Sequence, residues 1–158
     1  MQKITPFLWF DGNAEEAANF YTSTFKNSKI TEIRRCGDAG PGSKGSAQTI
    51  SFQIEGQEFI GLNGGPHFKF TPAISFLVNC ETQQEVDELW GKLLAGGQPM
   101  QCGWLTDKFG ISWQIIPKAL GEMLGGKDPV KSQRAMQAMM KMVKIDVQEL
   151  KRAYEGEQ

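Results

Sequence analysis

The sequence holds one histidine, His67, and three cysteines, Cys36, Cys80 and Cys102, with no C-x-x-C pair among them. An odd number of scattered thiols and a lone imidazole exclude a disulfide framework and a zinc knuckle, and leave free thiols as the ordinary reading. They also narrow any nucleophile and base to Cys102 with His67, against which stands the simpler role of a small thiol packed beside Trp104. An excess of charge of one sign is lacking too. Lys and Arg number 17 against 18 Asp and Glu, a net charge of -1, so no broad field exists to gather nucleic acid. Eight basic residues between Lys118 and Arg152 face four acids, but they are interspersed with apolar residues at helical spacing and read as a solvated helix face. No apolar run approaches the roughly 20 residues that cross a bilayer. The start MQKITPFLWFDG has no apolar stretch ending in a small-residue cleavage site, so a soluble, cytoplasmic protein is expected. A chain of 158 residues is expected to form one domain.

What is present is a repeated pattern. KITPFLWFDG has the aromatic and β-branched content of a strand, and Asn13 with Glu16 reads as a capping box for a helix whose Ala14, Ala17, Ala18, Tyr21 and Phe25 share a face. Strands follow at KNSKITEIRR, AQTISFQI and QEFIGLN, with GDAGPGSKG a flexible loop and Glu55-Gly56 a tight hairpin turn. The order then restarts. AISFLVN is a strand, Thr82-Gln83-Gln84-Glu85 is a capping box, and Val86, Leu89, Trp90, Leu93 and Leu94 line one face of a helix that Gly96-Gly97 ends. QPMQCGW and GISWQIIP supply two more strands, with a weaker one between them. Phe7-Leu8 aligns with Phe76-Leu77, Phe20-Tyr21 with Leu89-Trp90, and Gly56 to Ile60 with Gly110 to Gln114. The expected fold is α+β, paired βαβββ modules at about 3–65 and 72–117 followed by a helical tail, 118–158.

The stretches PFLWFDGNAEEAANFYTSTF, GGPHFKFTPAISFLV, CGWLTDKFGISWQIIP and DPVKSQRAMQAMMKM resemble the vicinal oxygen chelate superfamily, the fold of glyoxalase and bleomycin-resistance proteins. Within it the chain is similar to the PhnB-like group labelled demethylubiquinone methyltransferase, from residue 3 to about 155. The resemblance implies curved sheets whose concave faces enclose a cleft, with helices outside. In metal-using members the ligands are His or Glu on the first and last strands of each half. Here those strands offer Thr5 and Pro6, Ile74 and Ser75, Ile60, and Gln114, which stands where the glutamate would be. An amide is a poor metal anchor, and His67 lies outside these positions, so no metal and no cofactor are expected. A methyl donor such as S-adenosylmethionine sits on a glycine-rich turn between strand and helix, whereas GDAGPGSKG runs into strand-like sequence.

Along GISWQIIP, alternation places Ser112, Gln114 and Ile116 on one face and Trp113 and Ile115 on the other. By the resemblance the Gln114 face lines the cleft. The candidate ligand pocket therefore gathers Phe7, Trp9 and His67 from the first half with Ser75, Cys102, Trp104, Ser112 and Gln114 from the second. Packing is the default role for each aromatic taken singly, and Asp107 is expected to fix the turn before Gly110. The tail, with Met136, Met139, Met140 and Met142, either covers its own sheet or packs against a second subunit, since the resemblance implies a homodimer. The functional expectation is a metal-free pocket for an unidentified small organic molecule, with no catalytic residue assigned. A metal-dependent enzyme of the glyoxalase or dioxygenase type, or a methyltransferase, are the alternatives. A helix after the glycine-rich loop favours the methyltransferase, and an apolar pocket without a perturbed titratable group favours the binder.

Overall fold

Three alanines, Ala14, Ala17 and Ala18, form the buried face of the first helix, α1 (Ala14–Thr24), and let it lie close on a sheet. A computed structural model describes residues 2–39 and 42–157, and the chain divides into two units, 1–70 and 71–158. In the first unit the sheet order is β1-β4-β3-β2, from β1 (Phe7–Phe10), β2 (Lys29–Arg35), β3 (Ala47–Ile54) and β4 (Gln57–Asn63). β1 runs parallel to β4, and the other pairs are antiparallel. α1 packs Tyr21 and its alanines over Ile50, Phe52, Phe59 and Phe10. Gly61 makes the closeness feasible, because a Cβ there would lie 3.3 Å from that of Ala14. Glu55 and Gly56 have φ of 49° and 80°, the two left-handed residues of a type I′ turn. Asn13 precedes the helix, but its side chain makes no capping bond; Asn63 Oδ1 on β4 accepts from the Ala14 N–H at 2.9 Å instead. The sequence pattern missed this because the cap comes from 49 residues away. Gly40 and Pro41 of the glycine-rich loop lie outside the described residues. Its described end leads into β3.

The second unit repeats the order as β5-β8-β7-β6, from β5 (Ser75–Cys80), β6 (Gln98–Pro99), β7 (Trp104–Thr106) and β8 (Ser112–Pro117). Helix α2 (Gln83–Leu94) covers one face with Val86, Leu89, Trp90 and Leu93. Its N-cap forms as the box requires, with Thr82 Oγ1 accepting from the Glu85 N–H at 3.2 Å, but the returning Glu85 carboxylate accepts from the Glu81 N–H, one residue before the cap, at 3.1 Å. Two expectations need correction. QPMQCGW is not one strand; it breaks between Pro99 and Trp104, where Cys102 and Gly103 take φ of 60° and 83°. The repeat alignment also shifts by one residue in the first strands. Phe7 pairs with Ile60 and Leu77 with Gln114, so Phe7 corresponds to Leu77, and both are exposed.

The tail forms α3 (Lys118–Leu124), α4 (Pro129–Met139) and α5 (Val147–Glu155). Asp128 and Asp146 cap the last two through their carboxylates. Leu120, Met123, Ala135, Met142, Ile145 and Leu150 bury one another, with Ile116 and Met139 packed alongside. The tail thus covers an end of its own sheet, leaving Val130, Met140 and Val143 exposed. Among the described residues no helix is long and apolar enough to cross a membrane.

Candidate functional site

Because α2 occupies one face of the second sheet, the side chains of Ser75, Leu77, Trp104, Thr106, Ser112, Gln114 and Ile116 share the other. Trp104 stands directly opposite Gln114, and the Gln114 amide Nε2 donates to Ser75 Oγ at 2.9 Å. Ser112 lies between Ser75 and Thr106 in register. It is 1% exposed, and its Oγ has no hydrogen-bond partner among the described residues. This strip carries neutral donors and acceptors and no charge. Trp113 and Ile115 point to the helix side and are buried, as alternation requires.

Asp107 holds the end of this face. Its Oδ1 accepts from the N–H groups of Phe109 at 2.8 Å and Ile111 at 3.0 Å, and Oδ2 accepts from Trp113 Nε1 at 2.9 Å. A buried carboxylate so supplied with donors is a structural fixture for the turn into β8.

At the broken strand a cavity of about 650 Å³ is lined by Pro72, Pro99, Met100, Gln101, Cys102, Trp104 and Val143. Two of these, Cys102 and Trp104, were legible as pocket residues. The other five were missed. Pro99, Met100 and Gln101 fall within QPMQCGW, which reads as one strand, Pro72 precedes the strand AISFLVN, and Val143 stands in the tail, more than 25 residues after the last strand. A hint was available in CG, a dipeptide inside a supposed strand that glycine weakens. The cavity wall is mostly apolar, with Gln101 and Cys102 as its polar members. Ser75, Ser112 and Gln114 lie on the sheet face beside Trp104 rather than in the cavity lining.

Phe7, Trp9 and His67 belong to the first unit. Phe7 and Trp9 are two apart on β1 and share a face; Trp9 Nε1 donates to the Gly65 carbonyl at 2.9 Å. The Trp9 ring meets His67 edge-on at 6.4 Å between centroids and Phe68 at 4.9 Å. His67 is thereby a loop residue resting on an aromatic.

The groups whose pKa is displaced stand away from the cavity lining. Burial, reinforced by the charge of Glu85, pushes the Cys80 thiol up to about 12. Hydrogen bonds from Lys144 and Gln83 hold the Asp87 carboxyl below its usual range, and the Glu81 carboxylate raises Lys118. The positions that the resemblance assigns to metal ligands carry Thr5 and Pro6, Ile60, Ile74 and Ser75, and Gln114. Gln114 is already bonded to Ser75, and among the described residues no three His, Cys, Asp or Glu gather in one place. These residues do not fit a cation site. Nor does the glycine-rich loop form a strand-turn-helix cradle, since β3 follows it.

The sequence model of the 3-demethylubiquinone-9 3-methyltransferase family matches residues 2–116. The tail, which the sequence pattern had counted within the resemblance, lies outside that match. Among solved structures the chain is similar to a PhnB protein from Bacillus cereus, with 43% identity and a TM-score of 0.68 over 73% of this chain and 99% of that one. A Pseudomonas aeruginosa protein shares the fold at 20% identity and a TM-score of 0.62, over 74% of this chain and 98% of that one. A glyoxylase/bleomycin resistance protein/dioxygenase domain from Frankia sp. EAN1pec shares it at 14% identity and a TM-score of 0.50, over 74% and 92%. A search of curated proteins returns no match.

Proposed function

Because the chain belongs to the PhnB-like 3-demethylubiquinone-9 3-methyltransferase family, within the vicinal oxygen chelate superfamily, we propose that it binds a neutral, ring-bearing organic molecule in its second unit, without a metal ion. The observation that carries this reading is the cavity of about 650 Å³, whose seven lining residues include no charged side chain. Its size suits a small organic ligand. Trp104 offers a face for stacking, Met100 a polarisable sulfur for the ring edge, and Gln101 hydrogen bonds for one polar substituent. The demethylubiquinone of the family label has such a ring. A carboxylate or phosphate would enter this wall without a partner, which disfavours charged ligands.

The reading includes a homodimer. Its support is that Ile4 and Phe7 in one unit, and Ile74 and Leu77 in the other, stay exposed at matching positions, apolar surface of the kind assembly covers. Sedimentation equilibrium returning the mass of one 17.6 kDa chain removes this part.

Binding is tested with N-phenyl-1-naphthylamine, a neutral fluorophore that brightens in apolar surroundings, while iodoacetamide reports on Cys102. Cys36 and Cys80 are buried and the Cys80 thiol is held near 12, so at pH 8 alkylation falls on Cys102. The probe is expected to bind saturably, to slow alkylation of Cys102, and to lose affinity about tenfold in Trp104→Ala. Absence of saturable binding, or binding that leaves Cys102 unprotected, rejects the reading.

A further inference from the structure

We propose that the tail segment Met142–Val147, which lies outside the family match, is the specificity-determining wall of the cavity; this rests on the binding role argued above. Val143 is the tail's member of the lining, 42% exposed. It is held in place by bonds on both sides. The Cys102 N–H donates to the Met142 carbonyl at 2.9 Å, and the Gly103 N–H to the Val143 carbonyl at 2.8 Å. Further along, the Gln83 side chain from α2 grips the backbone twice, donating to the Ile145 carbonyl at 2.9 Å and accepting from the Val147 N–H at 2.8 Å. Lys144 pairs with Asp87 at 2.7 Å. Met142 and Ile145, flanking Val143, are buried.

Register explains why the tail can stand there. Trp113 of β8 corresponds to Phe59 of β4, so Gly103 and Cys102 correspond to Ile50 and Thr49. In the first unit β2 continues along those positions with Ile33 and Arg34. In the second, β6 stops after Pro99, and the tail carbonyls take the free edge N–H groups instead. The shortened strand opens the cavity, and the tail closes one side of it. A PhnB-like core ending where the family match ends would lack this wall.

The test compares affinities for two neutral probes of different size, N-phenyl-1-naphthylamine and 1-naphthol. Their ratio cancels general loss of fold, which circular dichroism checks. Val143→Trp, which narrows the cavity, is expected to shift the ratio toward 1-naphthol by about tenfold, and Val143→Ala to shift it the other way. Val130→Trp, at an exposed tail position outside the lining, is expected to leave it within about twofold. If native protein binds both probes and Val143→Trp leaves the ratio as it was, the wall role is overturned and the binding role stands. If native protein binds neither, the binding role fails and takes the wall with it.

Discussion

The two units share one strand order and differ in how each treats its β-β connection and its outer edge. In the first, β3 and β4 are 8 and 7 residues long, joined by a two-residue turn, and the 7-residue β2 runs along the edge of β3. In the second, β6 and β7 are 2 and 3 residues long, a buried carboxylate organises the connection to β8, and tail carbonyls replace the missing edge strand. The helices differ in the same sense. α1 lies on Gly61 with alanines, whereas α2 meets Ile115, the matching position, with Val, Leu and Trp. A regular hairpin leaves no opening on its own edge. The irregular one does, and the cavity lined by Pro99, Met100, Gln101, Cys102 and Trp104 lies there. Ligand sites tend to sit where a rigid scaffold is interrupted, since an unbroken ladder satisfies every backbone group with itself.

The largest effect should follow from removing the tail's last segment. A chain ending at Met139 loses Met142, Ile145 and Leu150 from a shared core and strips the Cys102 and Gly103 N–H groups of their acceptors. Each such side chain contributes roughly 1.5–3 kcal/mol when buried, a large share of a small protein's net stability. Hydrogen exchange should show protection lost in β7 and β8 and largely kept in β3 and β4. Equal loss in both sheets would show that the units do not differ in their dependence on the tail.

Asp107→Asn tests the second connection alone. The amide keeps the shape but presents N–H₂ toward one of the donors that the carboxylate accepted, from Phe109, Ile111 or Trp113. Leaving a buried donor unpaired costs about 1–3 kcal/mol, more where a charged acceptor is lost. Thermal unfolding should register that loss, and an unchanged midpoint would mean the turn holds itself, as the first one does.

The repeat was legible because its signals are local. Glu55-Gly56, the Thr82 cap and the Ser112/Gln114 alternation each depend on neighbours in sequence, and each formed as read. What sequence could not show depends on distant partners. Asn63 caps α1 from another strand, the one-residue shift of β1 is set by parallel pairing with β4, and Val143 reaches the cavity through bonds to Cys102 and Gly103. The cavity lining was legible at two of its seven positions for this reason. Cys102 and Trp104 stand next to the glycine that breaks the strand, while Pro72 and Val143 arrive from segments whose own patterns speak only of loop and helix.

The smallest effect concerns the first turn, and it should have the opposite sign. Glu55 holds φ at 49°, a conformation that crowds the Cβ of an L-residue and that asparagine tolerates better. The residue is exposed, and its N–H donates to Ser28 Oγ at 3.1 Å, a backbone bond that substitution preserves. Glu55→Asn should therefore stabilise the first unit by about 0.5–1 kcal/mol, since Asn-Gly is the favoured pair for a type I′ turn. Denaturant midpoints on native and variant protein read this directly, with an unchanged slope showing that folded and unfolded states are otherwise the same. Such a gain, beside a loss in Asp107→Asn, would confirm that backbone dihedrals carry the first connection and a buried carboxylate the second. A loss in Glu55→Asn would mean that the glutamate side chain, rather than the turn's backbone, holds the first hairpin closed.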